Sequence, residues 1–431
     1  MNVFLPEIRV KSKGIEENVA RIRSRSYPLE IENSVMNVIR EVQKKGDSAL
    51  LRYAREFDKV DLSSVQIRIN KDEIRSAVGR VDAELLSAMR FSLRRLQKSQ
   101  RILLNRLDYS HVEDGFVIRV TSQPLSSVGC YVPGGRAVYA STVLMTAGLA
   151  QLAGVKRVVI CTPSDPRGKV NDAILAAADL CGVNEVYRLG GAQAIAAMAY
   201  GTESLKKVEK IVGPGGIYVS VAKKLVSADI AIDFFAGPTE LIVICDETAD
   251  PRIVAWDLVG QAEHGEDSIC GLVTWSKRIA DEVRSEIMKL IPNLSRREFI
   301  EKCLRRGFAA ICDDIRSAAS FVNVFSPEHV ELIVSKPSKF ARLIENAGLV
   351  LSGPFSPCAA GDYCIGTDHV LPTRGSATGR GGLSVLDFTK IMYMVEGSRE
   401  GLRSILSPLK ALAYAEGLPN HYLSVESRFA N

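Results

Sequence analysis

After "GFVIRVTSQPLSSVGCYVPGGR", short β-branched runs alternate with alanine-rich segments of helical length, and this alternation constrains the fold more than any other feature. "VKRVVICT" precedes "VNDAILAAADLCGV", "EVYRLGG" precedes "AQAIAAMAYG", and "EKIVGPGG" precedes "YVSVAKKLV". Farther on, "ELIVICD" precedes "RIVAWDLVGQAEHG", and "SICGLVTW" precedes "IADEVRSEIMKLI". A strand covered on both faces has no polar side, so it reads as an unbroken apolar run. Such runs, each followed by a helix, predict parallel βαβ units with helices covering the sheet. Ahead of them, residues 29–106 carry apolar residues at three- and four-residue intervals, which predicts helices. The tail, from about 382, reads as helical at "REGLRSILSPLKALAYAEG" and then as irregular and polar. The expected class is α/β with parallel-rich sheets and small helical segments at both ends.

The chain has 431 residues, enough for two or more domains. Its net charge of +5 is too mild to imply nucleic acid. The most basic run, "RRLQKSQRILLNR" at 94–106, has the spacing of a solvated amphipathic face. No apolar stretch approaches the ~20 residues of a membrane span, and "MNVFLPEIRVKSKG" lacks the apolar core of a signal peptide. A cytoplasmic protein without membrane partners is expected. The nine cysteines form no C-x-x-C, and most lie in apolar runs. They are expected to be buried, reduced and structural, with neither a thiolate metal site nor a catalytic cysteine.

Glycine turns follow several strands: Gly134-Gly135, Gly190-Gly191, Gly213-Pro214-Gly215-Gly216 and Gly237-Pro238. Such turns let backbone N–H groups approach a phosphate at a helix N-terminus, although turns of purely structural use look the same. Neither G-x-G-x-x-G nor G-x-x-x-x-G-K-[ST] is present, so no motif specifies a dinucleotide or ATP. Of the five histidines, His111 reads as a surface turn. Gln261 and His264 in "GQAEHGED" would share one face near a helix end closed by Gly265, as a metal-ligating pair or an ordinary helix terminus. "CAAGDYCIGTDHVLPTRG" supplies Asp362 and His369, and "EGLPNHYLS" supplies Glu416 and His421. A metal held by these groups is expected to have nitrogen and oxygen ligands only, which suits a catalytic zinc. Ser326-Pro327-Glu328-His329 fits a helix start, with Ser326 as N-cap and Glu328 and His329 in the first turn. The helix dipole would then favour anionic Glu328 beside neutral His329.

"VGCYVPGGRAVYASTVLM", "GGAQAIAAMAYGTES", "KIVGPGG", "IDFFAGPTELIV", "DLVGQAEHG", "SPEHVEL", "GDYCIGTDHVLPT", "GLSVLDF" and "EGLPNH" occur in that order. Together they strongly resemble the histidinol dehydrogenase family, from about residue 30 to the C-terminus. The resemblance implies Gln261, His264, Asp362 and His421 as zinc ligands and Glu328 and His329 as the acid/base pair. It implies His369 and Glu416 near the substrate, beside Thr239 and the metal ligands, and Tyr131, Gln193 and Gly216 at NAD. It further implies oxidation of L-histidinol through the aldehyde to L-histidine with two NAD+, in a homodimer whose tail enters the partner's site. The implied fold has two large domains with incomplete Rossmann-like sheets. Its expected parts are an N-terminal segment, 1–25; a first α/β domain, 26–130 with 238–381, carrying the zinc and acid/base residues; an NAD-contacting domain, 131–237; and a dimerisation arm, 382–431.

The chain departs from the family pattern in several places. Thr239 stands where serine is usual, Gly216 where many relatives have asparagine, and "YASTVLM" and "LPTRGSATGRGG" replace commoner forms. In the implied chemistry His329 takes the alcohol proton, and Glu328 activates the water that attacks the aldehyde. Three other readings compete: a paralogous zinc and NAD dehydrogenase for another polar alcohol such as a sulfonated propanediol, a zinc hydrolase using Glu328, and a noncatalytic metal-stabilised binding protein.

Overall fold

The computed structural model describes residues 4–11, 14–23, 29–62, 67–134, 138–235 and 237–429. Gly135 of the first expected glycine turn lies outside them. Two parallel sheets carry the molecule. The larger has six strands in the order Glu7–Val10, Phe308–Cys312, Ile269–Thr274, Glu240–Cys245, His329–Ile333 and Leu349–Ser352. The other has five, in the order Glu185–Arg188, Arg157–Thr162, Ser127–Tyr131, Lys210–Val212 and Ala231–Ile232. In each, the chain steps twice in one direction from the strand it enters first, then crosses back to that strand's other side. Both thus follow a 3-2-1-4-5 order, a Rossmann-like wiring lacking its sixth strand, and Glu7–Val10 is an added edge of the larger sheet.

The apolar runs form the sheet centres for the expected reason. All six residues of Glu240–Cys245 are buried, because helices cover both faces. Packing is close enough to dictate glycine at 271, where a Cβ would lie 2.4 Å from the Phe308 ring. Gly213 follows the Lys210–Val212 strand with φ of +112°, a conformation side chains disfavour, and a Cβ there would meet the Tyr131 carbonyl oxygen at 2.2 Å.

The expected helices before residue 106 are present as Leu29–Lys45, Asp47–Tyr53, Lys71–Val78 and Ala83–Leu104. They pack on helices of the five-stranded sheet: Leu29–Lys45 on Gly191–Tyr200 and Ile217–Val226, Lys71–Val78 on Asp172–Leu180, and Ala83–Leu104 on Ala140–Ala153. This corrects the expected grouping of 26–130 with 238–381, because the apolar stripes of these helices are buried in the other unit's core. The N-terminal segment instead joins the six-stranded sheet through Glu7–Val10 and helix Ile15–Arg23, which packs on helix Ile315–Phe325.

A third sheet was not expected. Thr389–Gly397 pairs antiparallel with Phe116–Pro124, which pairs with Tyr109–Glu113. His111 therefore sits on an exposed strand rather than in a turn. The tail forms helices Arg399–Ser404 and Leu406–Ala415 as expected, but the segment read as irregular is helix Pro419–Glu426, opened by a proline in its first turn. Among the described residues, no helix is long and apolar enough to cross a membrane.

Candidate active site

The helix before Glu328 ends where the sequence suggested that one begins. Asp314 and Ser317 form a reciprocal capping box that starts helix Ile315–Phe325, and Ser326 closes it in the left-handed conformation, φ 50°, its N–H donating to the Val322 carbonyl. Pro327 disfavours helical geometry at the residue before it, so the chain leaves here and enters strand His329–Ile333. Ser326 is thus a C-cap, and neither Glu328 nor His329 stands in the first turn of a helix.

Glu328 lies at the amino end of that strand, beside strand Glu240–Cys245. Its Oε2 accepts the Thr239 hydroxyl at 2.5 Å and the Glu240 backbone N–H at 2.8 Å. Thr239 Oγ1 in turn accepts from Gln261 Nε2 at 2.6 Å, so one hydroxyl links the expected water-activating carboxylate to an expected metal ligand. The methyl of Thr239 does not prevent this bridge.

His329 is 2 % exposed. Its Nδ1 lies 3.3 Å from the Glu240 carbonyl oxygen and 3.6 Å from Glu328 Oε2. Its Nε2 lies 3.4 Å from Asp362 Oδ1 without the alignment of a hydrogen bond, and is left with no hydrogen-bond partner. Burial alone would hold this imidazole below its ordinary value, but Cys358, Glu328 and Asp362 outweigh burial and hold it well above. Burial also pushes the Cys358 thiol up to about 12 against the pull of His329. The dipole argument for a neutral His329 does not apply, because His329 opens a strand rather than standing in the first turn of a helix. Asp362 keeps its carboxyl below the usual value although burial opposes this, because His329, His369 and His264 surround it.

His369 Nδ1 is 2.9 Å from the Asp362 carbonyl oxygen, and its Nε2 is 3.4 Å from Thr142 Oγ1. Burial holds its imidazole below the ordinary value. Thr142 lies in the first helix after strand Ser127–Tyr131, so this contact joins the amino end of the six-stranded sheet to the carboxyl end of the other. Gln261 is on helix Pro251–Ala262, while His264 follows that helix in an exposed turn.

Cys358 corrects the expectation that no cysteine joins these groups. It is buried, and its Sγ, a His329 ring nitrogen and an Asp362 carboxylate oxygen lie within 4.8 Å of one another. The sulfur also lies 3.6 Å from Gln261 Oε1. The other cysteines match expectation except Cys364, which is exposed; all nine are free.

Glu416 and His421 stand elsewhere. Both are exposed and line a groove between the tail helices with Leu409 and Leu412. Among the described residues, no contact joins either of them to Glu328, His329 or Asp362.

Tyr131, Gln193 and Gly216 gather at the carboxyl end of the five-stranded sheet. The Tyr131 hydroxyl accepts the Gly191 N–H at 3.1 Å, and Gly216 begins helix Ile217–Val226 facing open space. Sequence reasoning missed Asp58, whose Oδ2 accepts from Gln193 Nε2 at 3.4 Å. Burial raises its carboxyl to about 6, although the Gly190 N–H and Gln193 favour the anion. It also missed the support beneath the Gly213 turn, where Asp233 accepts the Gly213 N–H at 2.7 Å, Lys223 donates to the Gly213 carbonyl at 2.8 Å, and the two side chains pair in a fully buried site. Arg23 was missed as well; it grips both oxygens of the buried Glu240 carboxylate at 3.1 Å.

Fold and site together define a class of enzyme: two Rossmann-like units with a buried centre between their sheets, able to handle protons and to hold a metal. The comparisons narrow it. The family model for histidinol dehydrogenase matches residues 22–429. Histidinol dehydrogenases of Gluconobacter oxydans and Lactococcus lactis are 42 % and 38 % identical, over 91 % and 99 % of this chain and 92 % and 97 % of their own lengths. The crystal structure of histidinol dehydrogenase from Elizabethkingia anophelis superposes with a TM-score of 0.92 at 34 % identity, covering 99 % of this chain and 98 % of that one. The chain belongs to the histidinol dehydrogenase family.

Proposed function

We propose that this enzyme oxidises L-histidinol through L-histidinaldehyde to L-histidine with two NAD+ and one zinc ion per subunit. The observation that carries the reading is the Thr239 hydroxyl bridging Gln261 and Glu328, which couples a metal-ligand position to a proton acceptor. The residues fit a metal: Gln261 and His264 offer the neutral oxygen and nitrogen donors zinc takes, and Asp362, whose carboxyl His329, His369 and His264 hold below its usual value, offers the anionic one. Zinc, when bound, supplies a Lewis acid for the nitrogens of an imidazole-bearing alcohol.

Gln261, His264 and Asp362 hold the substrate's polar end, with His421 supplied by a second copy of the chain. His329 takes the alcohol proton at a ring nitrogen. Glu328, held by Thr239 and the Glu240 N–H, takes a proton from the water that attacks the aldehyde carbon. His369 and Glu416 contact the substrate, and Tyr131, Gln193 and Gly216 line the cofactor crevice at the switch point of the five-stranded sheet. Residues 382–431 act as a dimerisation arm. Ile391, Tyr393 and Val395 on its strand are exposed, as are Leu412 and Leu423 on its helices, and such a surface suits a second copy. Eight buried free thiols suit a reducing cytoplasm. A sulfonated propanediol is not favoured as the substrate, since the curated relatives carry the histidinol dehydrogenase name.

The test is NADH formation on adding L-histidinol, before and after chelation, with each half-reaction followed separately. Glu328→Gln should slow acid formation by about 10²–10⁴-fold and alcohol oxidation much less. Equal loss in both half-reactions would defeat the division of labour.

A further inference from the structure

Cys358 has no part in the proposed chemistry, yet it is fixed against the site. Its backbone N–H donates to the Glu331 carboxylate, on the same strand as His329. Its sulfur lies within 4.8 Å of a His329 ring nitrogen and an Asp362 carboxylate oxygen, and His329 Nε2 is buried without a hydrogen bond. Zinc bond lengths of about 2.0–2.3 Å put the donors of a tetrahedral site roughly 3.3–3.8 Å apart. His329 Nε2 and Asp362 Oδ1 already stand 3.4 Å apart, and the whole triad lies within 4.8 Å, so closing it takes a side-chain shift of about 1 Å.

We propose that His329, Cys358 and Asp362 form a second, inhibitory site for a soft divalent cation, competing with the working metal centre. The triad comes from one chain and does not need His421. Binding replaces the S–H bond with a metal–sulfur bond and releases the proton to solvent, with no change of oxidation state. Sulfur selects zinc or cadmium over magnesium or manganese. A cation held there occupies the ring nitrogen of the proposed base and draws Asp362 away from the working centre, so excess zinc should inhibit the enzyme that a stoichiometric amount activates. This inference rests on the proposed function, with His329 as the base and Asp362 as a ligand of the working centre, only for the competition and inhibition; the binding site stands on geometry alone.

The experiment uses the full-length, zinc-loaded protein in a Cys364→Ser background, since Cys364 is an exposed thiol. Cadmium is titrated while the ultraviolet cadmium–thiolate charge-transfer band is recorded, in the parent and in Cys358→Ser and Cys358→Ala. Two variants guard against one failing to fold, as judged by its melting temperature. The expected result is a saturable band in the parent that both variants lose, with cation inhibition weakened by about 10–100-fold. No band in the cadmium-saturated parent, or a band or inhibition undiminished in both folded variants, overturns the proposal. A chain that does not oxidise histidinol but shows the Cys358-dependent band would refute the proposed function and leave the cation site standing.

Discussion

Replacing Arg23 with methionine tests how the site is held. The Arg23 guanidinium donates to both Glu240 carboxylate oxygens at 3.1 Å and to the Phe325 carbonyl at 2.6 Å, and lies 4.0 Å from the centre of the Phe325 ring. The Glu240 side chain is 1 % exposed and that of Arg23 17 %. Burial pushes the Glu240 carboxyl above its ordinary value, and Arg23 is the strongest force opposing it. Arg23→Met leaves a buried carboxylate with the Arg374 N–H, at 2.9 Å, as its remaining hydrogen bond from the main chain. Breaking a buried pair from one side costs about 3–5 kcal/mol. Arg23's partial exposure favours the lower end, about 3 kcal/mol, and its lost stacking on Phe325 adds about 1 kcal/mol. For a unit of this size that lowers the melting temperature by about 10 °C. Because the Glu240 N–H holds Glu328, turnover should fall as well. The assay is thermal unfolding of Arg23→Met, Glu240→Gln and the double variant. The double variant should be more stable than Arg23→Met alone, since the uncompensated charge is gone. An Arg23→Met melting temperature within a degree or two of the parent, or additive losses in the double variant, would refute the reasoning.

Thr239→Val removes the bridge at nearly constant shape. It should cost about 1–3 kcal/mol in denaturant unfolding and slow aldehyde oxidation, while Thr239→Ser restores both. Asp368 is fully buried with one oxygen unpartnered, and burial holds its carboxyl well above the ordinary value. The folded state therefore binds its proton more tightly than the unfolded state, and stability falls as pH rises from about 4 through the raised folded value. Asp368→Asn should melt higher than the parent at pH 8 and show little gain near pH 4; a gain independent of pH would count against this. Mixing inactive His329→Ala and His421→Ala subunits should restore part of the activity through hybrid dimers, read as NADH formation after subunit exchange.

The sheets were legible because strands covered on both faces leave apolar runs with no polar alternation, as in "ELIVIC". Strand Thr389–Gly397 left no such signal: all its residues but the first are exposed, so nothing in its own pattern marks a buried face. Ser326-Pro327 misled because the same dipeptide suits a helix entry and a helix exit. The deciding feature lay upstream, in Asp314 and Ser317, which had already opened a helix ending at Phe325. Cys358 escaped because cysteine spacing was compared only with other cysteines, whereas its neighbour is His329, brought close by parallel pairing of two strands. Arg23 was illegible in principle, since its partner lies 217 residues away.

The register of one strand pair has a lasting consequence. His329 sits opposite Leu241 in the ladder, and Glu328 grips the N–H of residue 240, so the backbone ladder itself sets the distance between the two groups. Sliding that strand by a single residue would point the imidazole at the opposite face of the sheet. Insertions between 313 and 326 can lengthen the preceding helix or loop, but they cannot retune the spacing of the pair. Variation among descendants of this enzyme should therefore accumulate in what surrounds the couple, while the couple itself stays fixed.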